Sequence, residues 1–164
     1  MSGWWAGKTR QFVRHVTGRV ARAEHKELES WLTPAQLELF DGMHRADRRH
    51  GLDVVRSLRE QGADDPDLLL AGLLHDCSKG RQVGLWHRVA WSLGEHYGDR
   101  VRRATASLPG FDEAFRRIDE HAERSADLAL AVGCSPRAAE LIRHQEEPAD
   151  DELGAALRLA DLAN

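Results

Sequence analysis

Several features that mark other classes of protein are scarce in this chain of 164 residues. It has two cysteines, Cys77 and Cys134, which are too few for the disulfide framework of a small secreted protein. No apolar run approaches the roughly 20 residues that a membrane-spanning helix needs, and the first residues lack the apolar core of a secretory signal. The formal net charge of −4 does not indicate a general nucleic-acid binder. We therefore expect a reduced, cytoplasmic protein without a transmembrane segment.

Signals for β-strands are also weak, because β-branched residues are few and no segment alternates polar and apolar residues over several positions. Leu, Ala, Arg and Glu dominate, which favours helix. Helix starts are indicated where Thr33, Asp65 and Ser135 each precede a proline, and helix ends where Gly62 and Gly133 follow an apolar pattern. The sequence predicts an all-α, single-domain helical bundle.

The pattern of apolar residues places the predicted helices along the chain. They cover residues 8–22, 24–32, 46–61, 85–97, 99–108, 111–132 with a bend near His121, and 151–164, and shorter helices open at Pro34, Pro66 and Pro136. We expect residues 1–45 to form N-terminal helices packed on a core made by residues 46–164. The basic helix over residues 8–22 could instead bind an anionic surface, but its apolar stripe favours packing.

Histidine, in contrast, is abundant, with nine residues. The stretch from Leu68 to Gly80, LLLAGLLHDCSKG, carries an apolar helix directly into His75 and Asp76, with Lys79 one turn later. Either the helix has simply reached water there, or the core holds two metal ligands rigid. The rest of the chain decides between these interpretations.

Five segments place a His or Asp beside apolar residues at helical spacing. They are RRHGLDVV with His50, LLHDCSK with His75 and Asp76, EHAERSA with His121, LIRHQEE with His144, and LRLADLA with Asp161. Imidazole and carboxylate without thiolate suit iron, manganese, cobalt, nickel or zinc rather than calcium. The residues expected to hold one ion are His50, His75, Asp76 and Asp161. A second ion could be held by a bridging Asp76 with His121 and His144.

This order of residues resembles the HD-domain superfamily of metal-dependent phosphohydrolases, in particular its subgroup with a lysine after His-Asp. The resemblance covers residues 50–161, and it implies an HD-domain helical bundle with one or two divalent transition-metal ions. It also implies hydrolysis of a small phosphate ester of nucleotide type by a metal-activated water, with Asp76 and Lys79 as catalytic residues. The chain departs from relatives at His144-Gln145, where some carry a His pair, and at Ser78, where the subgroup has glycine.

Other functions remain open from the sequence. Some relatives with this ligand order are diiron oxygenases, and a partly retained site could serve a binding module that senses a nucleotide. Cys77 is interpreted as a packed side chain rather than a nucleophile. Trp86, Trp91 and Tyr97 could stack on a base, although their helical spacing favours the core. The histidines interpreted as ordinary surface or core residues are His15, His25, His44, His87 and His96. The oligomeric state is not predicted.

Overall fold

The computed structural model describes residues 18–80 and 83–164, and within these ranges the chain forms ten α-helices and no β-strand. The predicted all-α architecture is confirmed. No helix in the described ranges is long and apolar enough to cross a membrane. The helices are α1 (Arg22–Leu28), α2 (Pro34–Gly42), α3 (Arg45–Glu60), α4 (Pro66–Leu74), α5 (Leu85–Tyr97), α6 (Asp99–Ala106), α7 (Phe111–Asp119), α8 (His121–Ala131), α9 (Pro136–Arg143) and α10 (Leu153–Ala163).

The helix starts follow the local chemistry of the sequence. The side chains of Thr33, Asp65 and Ser135 each accept a hydrogen bond from a backbone N–H in the first turn of α2, α4 and α9. In each case proline follows at the first helical position, where a backbone N–H would have no partner within the helix, so its absence removes no hydrogen bond. Gly62 and Gly133 follow α3 and α8 with φ of 86° and 84°, a backbone conformation that glycine adopts without strain. These predicted boundaries are therefore confirmed.

Three expectations require correction. The helix predicted over residues 111–132 is divided at Glu120 into α7 and α8. Residues 8–17 of the first predicted helix lie outside the described residues, and residues 18–21 are not helical. Trp86 and Tyr97 are 72 and 57% exposed, so their assignment to the core is wrong, whereas Trp91 packs against a small buried cluster around Val83. Helical spacing identifies an apolar face but does not establish that another helix covers it.

The core is centred on α4, which packs against α3, α9 and α10. Six of its nine residues are buried, which explains why this helix is apolar on every side rather than on one stripe. Leu28, Phe40 and Met43 join the same cluster from the preceding part of the chain. Helices α5, α6 and α7 pack together, and α7 leads into α8. The end of α4 is therefore fixed by helices from distant parts of the sequence.

Two glycines allow α3 and α4 to approach closely. A Cβ atom at Gly51 would lie 2.5 Å from the Leu73 carbonyl oxygen, and one at Gly72 would lie 3.0 Å from a Leu58 methyl group. Atoms at the first distance overlap, so only glycine fits against the Leu73 backbone. Because His50 precedes Gly51 in α3, this crossing brings it next to the end of α4.

Candidate metal centre

His75 and Asp76 lie at the C-terminal end of α4, where the apolar helix stops. His75 is the C-cap residue, and its backbone N–H donates to the Ala71 carbonyl oxygen at 2.9 Å. Only 2% of His75 and 4% of Asp76 is exposed. The helix therefore does not end in water, and a buried imidazole lies beside a buried carboxylate, an arrangement that requires compensating partners.

The His75 ring is oriented by its own helix. Its Nδ1 donates to the Gly72 carbonyl oxygen at 3.0 Å, which leaves Nε2 3.7 Å from Asp76 Oδ1 and 3.5 Å from Asp161 Oδ1. Burial acts to lower the pKa of His75, but the two carboxylates outweigh burial and raise it to about 9. The Nε2 atom thus faces concentrated negative charge, which favours either a proton or a metal ion.

Two other helices bring His50 and Asp161 to the same place. His50 Nε2 lies 2.7 Å from Asp161 Oδ1, and the ring centroids of His50 and His75 are 5.1 Å apart. Burial acts to raise the pKa of Asp161, but the two imidazoles hold it well below its ordinary value. Leu157 and Ala160 on the same helix are fully buried, so α10 is anchored within about one turn of the carboxylate.

The Asp76 carboxylate is the point on which the nitrogens of the site converge. Lys79 Nζ lies 2.7 Å from Oδ1 and 2.8 Å from Oδ2, and it donates a hydrogen bond to Oδ2. Oδ1 is buried without a hydrogen bond. Burial acts to raise the pKa of Asp76, but Lys79 and His75 hold it well below its ordinary value. Oδ1 is thus an ionised, buried oxygen that has the charge of Lys79 beside it but no hydrogen bond of its own, and such an oxygen can coordinate a cation.

His121 begins α8 and approaches the same oxygen. Its Nδ1 donates to the Ile118 carbonyl oxygen, and its Nε2 lies 3.5 Å from Asp76 Oδ1. Burial and the nearby Lys79 ammonium lower the pKa of His121 to about 4. The ring is therefore neutral at pH 7, and the Nε2 lone pair faces a carboxylate oxygen. Two acceptors that face one another in this way would be stabilised by a cation beside them.

His144 makes its contact elsewhere. It is the C-cap residue of α9, its side chain is 43% exposed, and its Nε2 lies 3.3 Å from Glu140 Oε2. The neighbouring Gln145 is buried, and its side-chain N–H donates to the His75 carbonyl oxygen at 3.3 Å. The end of α9 therefore supports the backbone of His75, and ligation by His144 stays a prediction.

The other histidines of the described ranges have contacts of a structural kind. His25 lies 3.1 Å from an aspartate carboxylate, and His44 and His87 each accept a hydrogen bond from a backbone N–H at the start of a helix. His96 packs edge-on against a neighbouring tyrosine ring. His15 lies outside the described residues.

The donor set fits one transition-metal ion. One ligand atom from each of His50, His75 and Asp76 lies within 4.8 Å of the others, and Asp161 Oδ1 lies 2.7 and 3.5 Å from the two imidazole Nε2 atoms. Ligand atoms that share one ion at about 2.1 Å are themselves at most about 4.2 Å apart, so this spacing is close to that of a site. Two imidazoles with two carboxylates match the metals expected from the sequence.

Sequence reasoning missed the residues that support this cluster. Gly51 carried a readable signal, because a glycine inside a helical pattern often marks a close approach of two backbones. Gln145 was noticed only as a departure from a His pair. Ser125 is fully buried and hydrogen-bonded to Ser78, and nothing in its local sequence indicated this, since its partner is 47 residues away.

Comparison of the chain with protein-family models, with curated proteins and with solved structures finds no match. The resemblance to HD-domain proteins therefore depends on the sequence segments themselves, and function is argued from the geometry of the site.

Proposed function

We propose that this protein is a metal-dependent phosphohydrolase that cleaves a small phosphate ester of nucleotide type. The observation that carries the proposal is the convergence of His50, His75, Asp76 and Asp161 from three regions of the chain, with Lys79 against the same Asp76 carboxylate. Two imidazoles and two carboxylates would hold the ion. A cationic side chain beside them would attract the negative charge of a phosphate.

A bound ion would supply Lewis acidity, which polarises a phosphate oxygen and makes water more acidic. The rest of the chemistry belongs to side chains of this chain. The Lys79 ammonium, 2.7 Å from Asp76 Oδ1, would stabilise the charge that develops on a phosphoryl group. His121 has its pKa lowered to about 4, so it is neutral at pH 7, and its Nε2 lone pair is suited to accept a hydrogen bond from the attacking water rather than to act as a general acid.

The same contacts favour a single ion over two. A second ion would have to share the Asp76 carboxylate, but the Lys79 ammonium already lies within 2.8 Å of both of its oxygens. One ion already makes Asp76 the shared partner of two cations, the ion and Lys79, and a second ion would make three in a buried site, where like charges repel strongly. The His144 ring contacts Glu140, so it would have to leave that partner to ligate a second ion. Because a diiron oxygenase needs the second ion, hydrolysis is the better-supported chemistry.

Elemental analysis of the purified protein, combined with phosphate release from a panel of nucleotides and a generic phosphodiester, tests the proposal. We expect about one equivalent of iron, manganese, cobalt, nickel or zinc, and turnover that a chelator removes. Asp76→Ala should lose both the ion and turnover, whereas Lys79→Met should keep the ion and lose about a hundredfold in rate. The control His25→Asn lies outside the cluster and should behave as the unchanged protein.

Retained turnover in Asp76→Ala would overturn the assignment. Oxygen uptake by an iron-loaded protein that releases no phosphate would identify an oxygenase instead. Tight nucleotide binding without turnover in any metal-loaded form would identify a sensing module. The proposal also includes the reduced, cytoplasmic setting expected from the sequence, and the two cysteines are free and buried in accord with it.

A further inference from the structure

A pair of buried serine hydroxyls joins the turn after α4 to the helix that carries His121. Ser125 is 0% exposed and Ser78 is 9% exposed. The Ser78 backbone N–H donates to Ser125 Oγ at 3.1 Å, Ser125 Oγ donates to Ser78 Oγ at 3.1 Å, and Ser78 Oγ donates to the His121 carbonyl oxygen at 2.9 Å. Each hydroxyl therefore has both a donor and an acceptor role, and the chain of hydrogen bonds ends on the backbone of His121.

These residues are not explained by helix stability or by packing alone. Serine has a lower helix propensity than alanine, and a hydroxyl taken out of water is costly unless it is hydrogen-bonded. At Ser125, inside α8, alanine would satisfy the helix equally well. The hydroxyls instead connect Ser78, two residues after Asp76, to His121, whose Nε2 lies 3.5 Å from Asp76 Oδ1.

We propose that Ser78 and Ser125 are positioning residues that hold the His121 imidazole against the Asp76 carboxylate. The purpose of this arrangement rests on the proposed function, in which the neutral His121 ring accepts a hydrogen bond from the attacking water through Nε2. The hydroxyl pair fixes the backbone of His121, and the Ile118 carbonyl fixes the ring through Nδ1. A movement of α8 by about 1 Å would separate the His121 ring from the Asp76 carboxylate, and the proposed reaction requires these two groups to be close together.

The test observes the imidazole N–H protons by NMR in the intact, metal-free protein. His75 and His121 each donate an Nδ1–H to a backbone carbonyl oxygen, of Gly72 and Ile118 respectively. Protons held in buried hydrogen bonds exchange slowly with water and remain visible. Because the two rings belong to the same molecule, His75 serves as the internal reference for His121.

In Ser125→Ala and in Ser78→Ala we expect the His121 signal to exchange at least tenfold faster or to disappear, while the His75 signal is unchanged. The matched control is Ser135→Ala, which removes the cap of α9 far from Asp76. It should lower the melting temperature and leave both signals intact. Ser125→Cys, which keeps a small side chain with weak hydrogen-bonding capacity, provides a second variant if the alanine variant does not fold.

An unchanged His121 signal in the serine variants would overturn the proposal, and so would equal loss of the His75 and His121 signals, which indicates general loosening. The measurement needs neither metal nor substrate. Selective loss of the His121 signal in a protein that hydrolyses nothing would support the positioning role and refute the proposed function. Turnover together with a retained His121 signal in Ser125→Ala would refute the positioning role alone.

Discussion

Proton competition at His75 should make metal binding depend steeply on pH. The imidazole must be neutral to coordinate an ion, but the carboxylates of Asp76 and Asp161 raise the pKa of His75 to about 9. At pH 7, about two units below that pKa, nearly every His75 ring carries the proton that the metal must displace. This corresponds to about 2.7 kcal/mol, or roughly a hundredfold in apparent affinity. We expect manganese or cobalt affinity to rise about tenfold per pH unit between pH 7 and 9 and then to level off.

Isothermal titration calorimetry in buffers with different enthalpies of ionisation measures the affinity and the protons released together. We expect release of at least one proton per ion at pH 7.5. The control His121→Asn removes a ring whose pKa is lowered to about 4. Because that ring is already neutral over this range, the slope should be unchanged. An affinity that is flat between pH 7 and 9, with no proton released, would refute the charge arrangement deduced for the site.

The metal-free protein should show the opposite dependence. The pKa of His75 is raised above its ordinary value of 6.5, so the protonated ring stabilises the fold. This contribution is complete below about pH 6.5 and is lost as pH rises through 9. The difference of 2.5 pH units corresponds to about 3 kcal/mol. Urea unfolding of the chelator-treated protein should therefore show falling stability from pH 6.5 to 9, while the stabilisation gained on adding metal grows.

Two further predictions concern packing around the site. Gly51→Ala should lower the free energy of unfolding, measured in urea, by about 3 kcal/mol, because its Cβ would overlap the Leu73 carbonyl oxygen. The control Gly42→Ala, with open space around its Cβ, should change it by less than about 1 kcal/mol. Equal effects of the two substitutions would contradict the close crossing of α3 and α4. Burial raises the pKa of the Cys77 thiol to about 12, so a thiol reagent at pH 8 should label Cys77 only in the unfolded protein. Cys77→Ala should keep metal binding. Rapid labelling of Cys77 in the folded protein would contradict its burial at the end of α4.

Local sequence chemistry predicted most helix boundaries because each depends on residues within one turn. The cap at Asp65 followed by Pro66 begins α4 regardless of what packs on it. The division between α7 and α8 at Glu120 was foreseen only as a bend. The exposed positions of Trp86 and Tyr97 could not be predicted, since exposure depends on which helices arrive to cover a surface.

The sequence alone determined that the chain is helical, where α4 begins and ends, and which side chains could hold a metal ion, because propensity, capping and ligand chemistry are properties of neighbouring residues. Only the tertiary structure decided that His50, His75, Asp76 and Asp161 meet while His144 contacts Glu140. It also decided that Lys79 lies against both oxygens of Asp76, and that the hydroxyls of Ser125 and Ser78 form a hydrogen-bond chain that ends on the His121 carbonyl oxygen. These contacts join residues as far as 111 positions apart, and such distances are fixed by how closely helices pack, through Gly51 and Gly72, rather than by any local pattern.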